Sequence, residues 1–100
     1  MKGGWFIGNF EPSAYKTKDF EVGFTKHKKN ASWDKHYHKK ATELTLIIKG
    51  KLKINNDVYS VGDIFIVYPN EIVDPTFLED VEFIVVKIPS DVNDRYIVKR

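Results

Sequence analysis

The residues of this chain best suited to chemistry are two histidines separated by one residue, His36 and His38. In a β-strand, residues i and i+2 project from the same face, so both imidazoles would point one way and Tyr37 the other. A carboxylate, Glu43, follows across a short polar step that could form a turn. If the chain doubles back there, two imidazoles and one carboxylate come together, a ligand set that suits iron(II), zinc, manganese or nickel.

The spacing from His36 to Gly50 reads His-x-His, four residues, Glu, six residues, Gly. It resembles the first motif of the cupin superfamily, a set of small metal-binding β-barrels, and fills its histidine, glutamate and glycine positions. The resemblance implies an all-β jelly-roll barrel, or double-stranded β-helix, with its site inside the barrel mouth. It also implies a divalent metal (Fe, Mn, Ni or Zn) held by His36, His38 and Glu43. The alternative is a surface strand whose histidines occur by chance among lysines.

The second motif of that family, Gly, five residues, Pro-x-Gly, two residues, His, is matched less well. Counted from Gly62, Asn70 takes the second glycine position and Val73 takes the histidine position. Asn tolerates φ > 0, so the first change is mild. The second removes a metal ligand. Asp74 would replace that ligand only if a bulge or bend turned it inward; otherwise water or a bound molecule completes the metal shell.

Short apolar segments ended by turn signals recur along the chain, and no stretch of ten or more residues has a helical apolar period. Residues 20–26 alternate apolar and polar side chains, and residues 44–48 and 64–68 are strongly apolar. Such short strands at regular spacing indicate a sandwich or barrel. One hundred residues form a single domain. We expect an N-terminal arm or strand over 1–18, the barrel over 19–90 and a polar tail over 91–100.

Composition excludes several classes of protein. The absence of cysteine rules out disulfides, thiolate ligands and cysteine nucleophiles, and suits a reducing cytoplasm. A formal charge of +2 is too small to imply nucleic-acid binding, and no segment is long enough to span a membrane. We therefore expect a cytoplasmic protein that binds a small molecule. Lysines near the histidines favour an anionic ligand, although lysines also blunt sheet edges.

Residues outside the first motif complete the expected barrel. Tyr68 and Phe77 are candidates for the cavity wall and ligand binding, although core packing also explains both. Counted from Glu43, the alternation puts three aliphatic residues on the opposite face of the strand: Leu44, Leu46 and Ile48. Core on one side and a subunit contact on the other would bury both faces, and a homodimer is common among small cupins. His27, between two lysines, is expected to be exposed.

Two classes of function remain open. One is an enzyme acting on a sugar or small acid, either a metal-dependent oxygenase or an isomerase or epimerase. The missing third histidine weakens the oxygenase case, and a metal-free acid–base site using a histidine with Glu43 belongs to the same class. The other is a non-catalytic module that binds a small molecule, or a dimerisation scaffold with a vestigial metal site. The substrate depends on which side chains converge, and the fold alone does not name it.

Overall fold

A computed structural model describes residues 4–98 of the chain. Within this range the structure has eleven β-strands and no α-helix, so the all-β prediction is confirmed. No helix among these residues could therefore cross a membrane. The strands are β1 (Trp5–Gly8), β2 (Tyr15–Lys16), β3 (Glu21–His27), β4 (His36–Tyr37), β5 (Thr42–Lys49), β6 (Leu52–Ile54), β7 (Asp57–Tyr59), β8 (Ile64–Val67), β9 (Pro75–Phe77), β10 (Val81–Ile88) and β11 (Tyr96–Ile97).

The strands form two opposed layers. One layer is a six-stranded sheet in the order β2-β1-β3-β10-β5-β8. The other contains the three-stranded sheet β7-β6-β9 and the pair β11-β4. Side chains from all three sheets line one internal cavity, so the layers face each other across it. This is the double-sheet barrel that the sequence predicts.

Alternation along β5 divides its side chains between the inside and the outside of the barrel, as predicted. Thr45 and Ile47 are buried, whereas Leu46 is 37% exposed. The inward apolar residues of both layers meet in one core, which contains Ile47, Leu52, Ile54, Phe65, Val67, Val73, Phe77 and Val81. Phe77 therefore belongs to the core and also contributes to the cavity wall, and its role in ligand binding stays a prediction.

Both ends of the described chain are incorporated into sheets. β1 pairs with β3 in the six-stranded sheet, and β11 pairs with β4. The backbone N–H of Val98 donates a hydrogen bond to the carbonyl oxygen of Lys35 at 2.8 Å. The predicted arm and tail are thus parts of the two layers; residues 1–3 and 99–100 of those segments lie outside the described range.

Two residues of the predicted motifs, Gly50 and Asn70, lie in turns that require a positive φ. Gly50, after β5, has φ of +83°, and a Cβ there would collide with the backbone carbonyl oxygen of Asp80. Only glycine satisfies both conditions without strain. Asn70, at the second-motif glycine position, has φ of +69°, the conformation that Asn tolerates best among residues with side chains.

Candidate functional site

The cavity between the layers has a volume of about 850 Å³ and a largely apolar wall. Ionisable residues close enough to shift one another's pKa values occupy part of that wall. They come from four separate stretches of the chain: Asp34 with His36 and His38, then Glu43, Lys87 and Arg95. This cluster is the candidate functional site.

His36 is fixed on both sides of its backbone. β4 pairs it with Ile97 of β11, and it exchanges two backbone hydrogen bonds with Val73, at 2.9 and 2.7 Å. The imidazole Nδ1 lies 2.8 Å from the carbonyl oxygen of Asp34. Because a carbonyl can only accept, Nδ1 carries the proton and donates it. The neutral ring therefore presents an unprotonated Nε2 for binding or chemistry.

His38 and Glu43 approach each other within the cavity. Nε2 of His38 lies 3.8 Å from Oε2 of Glu43, longer than a hydrogen bond. His38 is 2% exposed, and within residues 4–98 its Nε2 is buried without a hydrogen-bond partner. The His36 and His38 rings are nearly perpendicular, with centroids 5.3 Å apart. The structure thus brings together the three residues that the first motif predicts.

A lysine outside both sequence motifs, Lys87, projects into the same cavity. Lys87 of β10 lies opposite Glu43 of β5 on one side and opposite Glu21 of β3 on the other. Its ammonium lies 5.0 Å from the ring centroid of Trp5. The inward residues of β10 are Val81, Phe83, Val85 and Lys87. A lysine at the next inward position of an otherwise apolar alternation is therefore the sequence pattern that indicates Lys87 as a cavity residue.

A second cation comes from the segment predicted as a polar tail. The guanidinium carbon of Arg95 lies 5.6 Å from the ring centroid of Trp33. Both residues line the cavity. Burial lowers the pKa values of His36 and His38, and the charge of Arg95 adds to that effect. For Glu43, whose pKa burial raises, the charge of Arg95 acts in the opposite direction. No local pattern marks Arg95, because its contacts join segments some sixty residues apart.

Burial determines the charge of the site. Burial, followed by the positive charge of Lys87, lowers the pKa of His38 to about 4. Burial also lowers the pKa of His36, so both imidazoles are neutral near pH 7. Burial raises the pKa of Glu43, against the opposing effect of Lys87. The site therefore combines two neutral bases with a carboxyl group that holds its proton unusually well.

Asp94 holds the turn that joins His38 to Glu43. Its carboxylate accepts hydrogen bonds from three consecutive backbone N–H groups, those of Lys39, Lys40 and Ala41, at 2.8 to 2.9 Å. Burial opposes the charge of Asp94, but these three bonds outweigh it and hold its pKa below the ordinary value. Asp94 therefore positions the site without being one of its cavity-lining groups.

Other candidates from the sequence lie elsewhere. Tyr68 is 57% exposed on the outside of the barrel, because Val67 before it points inward, so the structure separates Tyr68 from the cavity. Asp74 is not among the described cavity-lining residues; its backbone exchanges hydrogen bonds with Asn55. Val73, at the third-histidine position, is buried.

The expectation that His27 is exposed is wrong. Its ring stacks on Phe77 with centroids 4.6 Å apart and meets the edge of Trp33 at the same distance. Alternation along β3 places His27 on the inner face with Thr25, and both residues line the cavity. Flanking lysines suggested a solvated stretch, but in a strand the immediate neighbours of an inward residue point outward.

Solved structures identify the architecture. No family model matches the chain, and neither does any curated protein. An uncharacterized protein with a double-stranded β-helix domain from Klebsiella pneumoniae superposes with a TM-score of 0.72 at 21% identity, covering 84% of this chain and 74% of its own. A cupin-2 domain protein from Shewanella frigidimarina gives 0.62 at 16% identity, covering 72% of each chain. The chain has the cupin fold.

Another β-barrel with this arrangement is Pac13 from Streptomyces, a nucleoside dehydratase. It superposes with a TM-score of 0.70 at 12% identity, covering 83% of this chain and 71% of its own. At these identities the likeness concerns the fold, so the site of this cupin barrel has to be interpreted from its own residues.

The cupin resemblance predicts a metal at His36, His38 and Glu43, and the geometry bears on that prediction. Within residues 4–98, no group of three or more His, Cys, Asp or Glu side chains is arranged to hold a metal ion. Lys87 and Arg95 add two positive charges that oppose a further cation. As they stand, these side chains do not fit a three-ligand metal site, and their role as ligands stays a prediction.

Proposed function

We propose that this cupin barrel binds a small anionic molecule and that His38 and Glu43 exchange protons with it without a metal. One observation carries the proposal. Nε2 of His38 is buried, has no hydrogen-bond partner within the described residues and lies 3.8 Å from Oε2 of Glu43 in a cavity of about 850 Å³. Leaving a buried polar nitrogen unpaired costs stability, so a ligand atom that pairs with it would be bound favourably.

The charges of the cavity favour an anion. Lys87 and Arg95 line it, and its carboxyl groups are Asp34 and Glu43. The pKa of Glu43 is raised by burial, which reduces the negative charge further. A carboxylate on the ligand would gain charge-assisted hydrogen bonds from Lys87 and Arg95 in a partly desolvated site.

The paired groups suit proton transfer at carbon. A neutral imidazole can remove the proton next to a carboxylate or carbonyl, while the Glu43 carboxyl group donates a proton to the departing oxygen or to a second carbon. The 3.8 Å gap leaves these groups free to contact different atoms of one ligand. Such chemistry gives isomerisation, epimerisation or loss of water from a sugar acid or hydroxy acid. Pac13, named as a nucleoside dehydratase, has the same fold.

Binding and catalysis can be measured separately. In the presence of EDTA, sugar acids and hydroxy acids are screened by the shift in melting temperature, because a ligand that binds the folded state raises it. Hits are then incubated in deuterium oxide, and NMR detects exchange of carbon-bound hydrogen. We expect Lys87→Met to abolish binding, and His38→Gln and Glu43→Gln to abolish exchange while retaining binding. Lys53→Met, which removes a cation from the outward side of β6, is the matched control.

Each outcome has a distinct meaning. Equal binding by wild type and Lys87→Met would contradict the anionic ligand. Binding without deuterium exchange would contradict the enzyme and leave the non-catalytic module, the second class of function that the sequence leaves open.

The second candidate function is metal binding at His36, His38 and Glu43. It is favoured by the unpaired Nε2 of His38 and the available Nε2 of His36, since neutral imidazole is a common ligand of divalent metals. Elemental analysis of untagged protein, after incubation with Fe, Mn, Ni or Zn, tests it. One equivalent of metal in the wild type that is lost in His36→Ala/His38→Ala would favour this candidate over the metal-free site.

A further inference from the structure

The cavity has two chemically different ends. In the six-stranded sheet, Lys87 and Phe83 both point inward from β10 and are four residues apart, which is about 13 Å along an extended strand. In the opposite layer, Val73 exchanges backbone hydrogen bonds with His36, and Phe77 lies four residues after it. Both layers therefore change over the same number of residues from the ionisable groups to aromatic rings.

Four rings lie together at the end away from Lys87. His27 stacks on Phe77 with centroids 4.6 Å apart, stacks on Phe83 at 5.4 Å and meets the edge of Trp33 at 4.6 Å. We call these four residues the aromatic cluster. All four line the cavity, and Trp33 is 43% exposed. Aromatic rings attract one another when stacked or edge to face at such distances, so a planar ring that enters this end of the cavity would be bound favourably.

Arg95 connects the aromatic cluster to the ionisable end. Its guanidinium carbon lies 5.6 Å from the ring centroid of Trp33, a member of the cluster. It is also close enough to His36 and His38 for its charge to act on both imidazoles. A carboxylate bound by Arg95 would therefore place the rest of a ligand beside the rings.

The ammonium of Lys87 also extends toward the aromatic cluster. It lies 5.0 Å from the ring centroid of Trp5, whose indole covers Gly23 so closely that a Cβ there would come within 2.8 Å of indole carbons. Gly23 pairs with Val85, which lies between Lys87 and Phe83 on the inner face of β10. The side chain of Lys87 therefore leans along the cavity, and the anion-binding groups adjoin the rings.

The size of the cavity agrees with a ligand that occupies both ends. Its volume of about 850 Å³ falls in the range of roughly 300–1,000 Å³ that is usual for pockets holding drug-sized ligands. A hydroxy acid as small as lactate, held by Lys87 and Arg95, would fill the ionisable end alone. It would leave the aromatic cluster facing water, at the cost of the apolar surface that a larger ligand would bury.

We propose that the cavity binds a hydroxy acid that carries an aromatic ring, with its carboxylate at Lys87 and Arg95 and its ring against the aromatic cluster. This inference rests on the proposed function, because it needs the anion site, and it narrows the ligand to one chemical class. The carboxylate and the ring are only a few bonds apart, because the two cations adjoin the cluster.

The test is isothermal titration calorimetry of the full chain in EDTA with three acids: 3-phenyllactate, 3-cyclohexyllactate and lactate. We expect 3-phenyllactate to bind at least about tenfold more tightly than lactate, because its ring is removed from water. It should also bind more tightly than 3-cyclohexyllactate. The saturated ring is of similar size and equally apolar, but it has no π face to pair with the cluster.

Substitutions locate the ring. Phe83→Leu retains an apolar side chain, and it should weaken binding of 3-phenyllactate about three- to tenfold while leaving lactate binding unchanged. The matched control is Tyr15→Leu, which removes an exposed ring of β2 outside the cavity lining and should bind both acids as the wild type does. Nuclear Overhauser effects between the ligand ring protons and Phe83 make the same test in the wild type, without a substitution.

Two results would overturn the proposal: equal affinities for 3-phenyllactate and lactate, or tighter binding of 3-cyclohexyllactate than of 3-phenyllactate. If lactate binding is nevertheless lost in Lys87→Met, the anion site stands and only the aromatic ligand is wrong. If none of the three acids binds, the aromatic ligand is wrong as well, and the sugar acids of the screen then decide the proposed function. The two failures are therefore distinguishable.

Discussion

The carboxylate of Asp94 accepts a hydrogen bond from the backbone N–H of Ala41 at 2.8 Å, although 53 residues separate them. The same carboxylate binds the two preceding N–H groups. One buried anion thus shapes the turn between His38 and Glu43, and the distance between the two candidate proton-transfer groups depends on a residue that touches neither ligand nor cavity.

Asp94→Asn should destabilise the fold and loosen the site. An amide cannot accept from all three N–H groups, because its NH₂ end is itself a donor. We expect a loss of about 2–4 kcal/mol in the free energy of unfolding, from weakened charge-assisted bonds and an unpaired buried N–H. Urea unfolding measures it, with the exposed Asp57→Asn as control. Equal unfolding midpoints for the two variants would remove Asp94 from this role.

Protonation of His38 should make the fold sensitive to acid. The pKa of His38 is about 4 in the folded state, against an ordinary 6.5. Above pH 6.5 the His38 imidazole is unprotonated in both the folded and the unfolded protein. Between pH 6.5 and 4 the unfolded chain binds it first, so stability falls as the pH falls, by up to about 3 kcal/mol. Lowered pKa values of His27 and His36 act with the same sign.

The raised pKa values of Glu21 and Glu43 act in the opposite direction, because there the folded state binds the proton and stability falls as the pH rises above 4.5. The contribution of His38 is therefore obtained as the difference between wild type and His38→Gln in urea unfolding at pH 7 and pH 5. The destabilisation at pH 5 should be smaller in the variant. An identical pH dependence would show that His38 titrates alike in both states.

Gly50→Ala should be far more damaging than Gly62→Ala. Both glycines have positive φ, +83° and +91°, so both alanines suffer backbone strain of about 1–2 kcal/mol. At Gly50 the new Cβ also meets the backbone carbonyl of Asp80, whereas at Gly62 nothing lies within 4 Å. The difference in melting temperature between the variants isolates the steric part. If the two variants have the same melting temperature, the turn after β5 can move away from the new Cβ at Gly50 without loss of stability.

Lys87→Met should raise the pKa values of His36 and His38. The positive charge of Lys87 disfavours protonation of both rings, and methionine retains most of the packing against Trp5 while removing that charge. NMR titration of the imidazole protons measures the change, and Lys53→Met supplies the control. Unchanged histidine titration in Lys87→Met would mean that the ammonium does not act within the cavity.

Much of the fold could be predicted from local pattern. The alternation from Glu43 correctly assigned the inside and outside of β5, and the motif spacing from His36 to Gly50 located the turn that needs positive φ. These inferences succeed because strand period and glycine geometry depend on neighbouring residues. The proximity of His36, His38 and Glu43 was predictable for the same reason, because few residues separate them in the sequence.

The rest of the site depends on long-range pairing. Lys87 joins it because β10 is inserted between β3 and β5, and Arg95 and Asp94 join it because β11 pairs with β4. No spacing in the sequence encodes either pairing. Strand alternation puts His27 inside the barrel and Tyr68 outside it, although residue type alone suggests the opposite for both.

The position of β10 also sets the order in which the protein can assemble during synthesis. β3 and β5 are never neighbours; each bonds to β10, which spans residues 81–88. A nascent chain that has exposed only its first eighty residues therefore holds two unjoined sheet fragments with open edges. The barrel can close only after the ribosome has released β10, and until then these edges are open to pairing with other chains, which chaperones prevent.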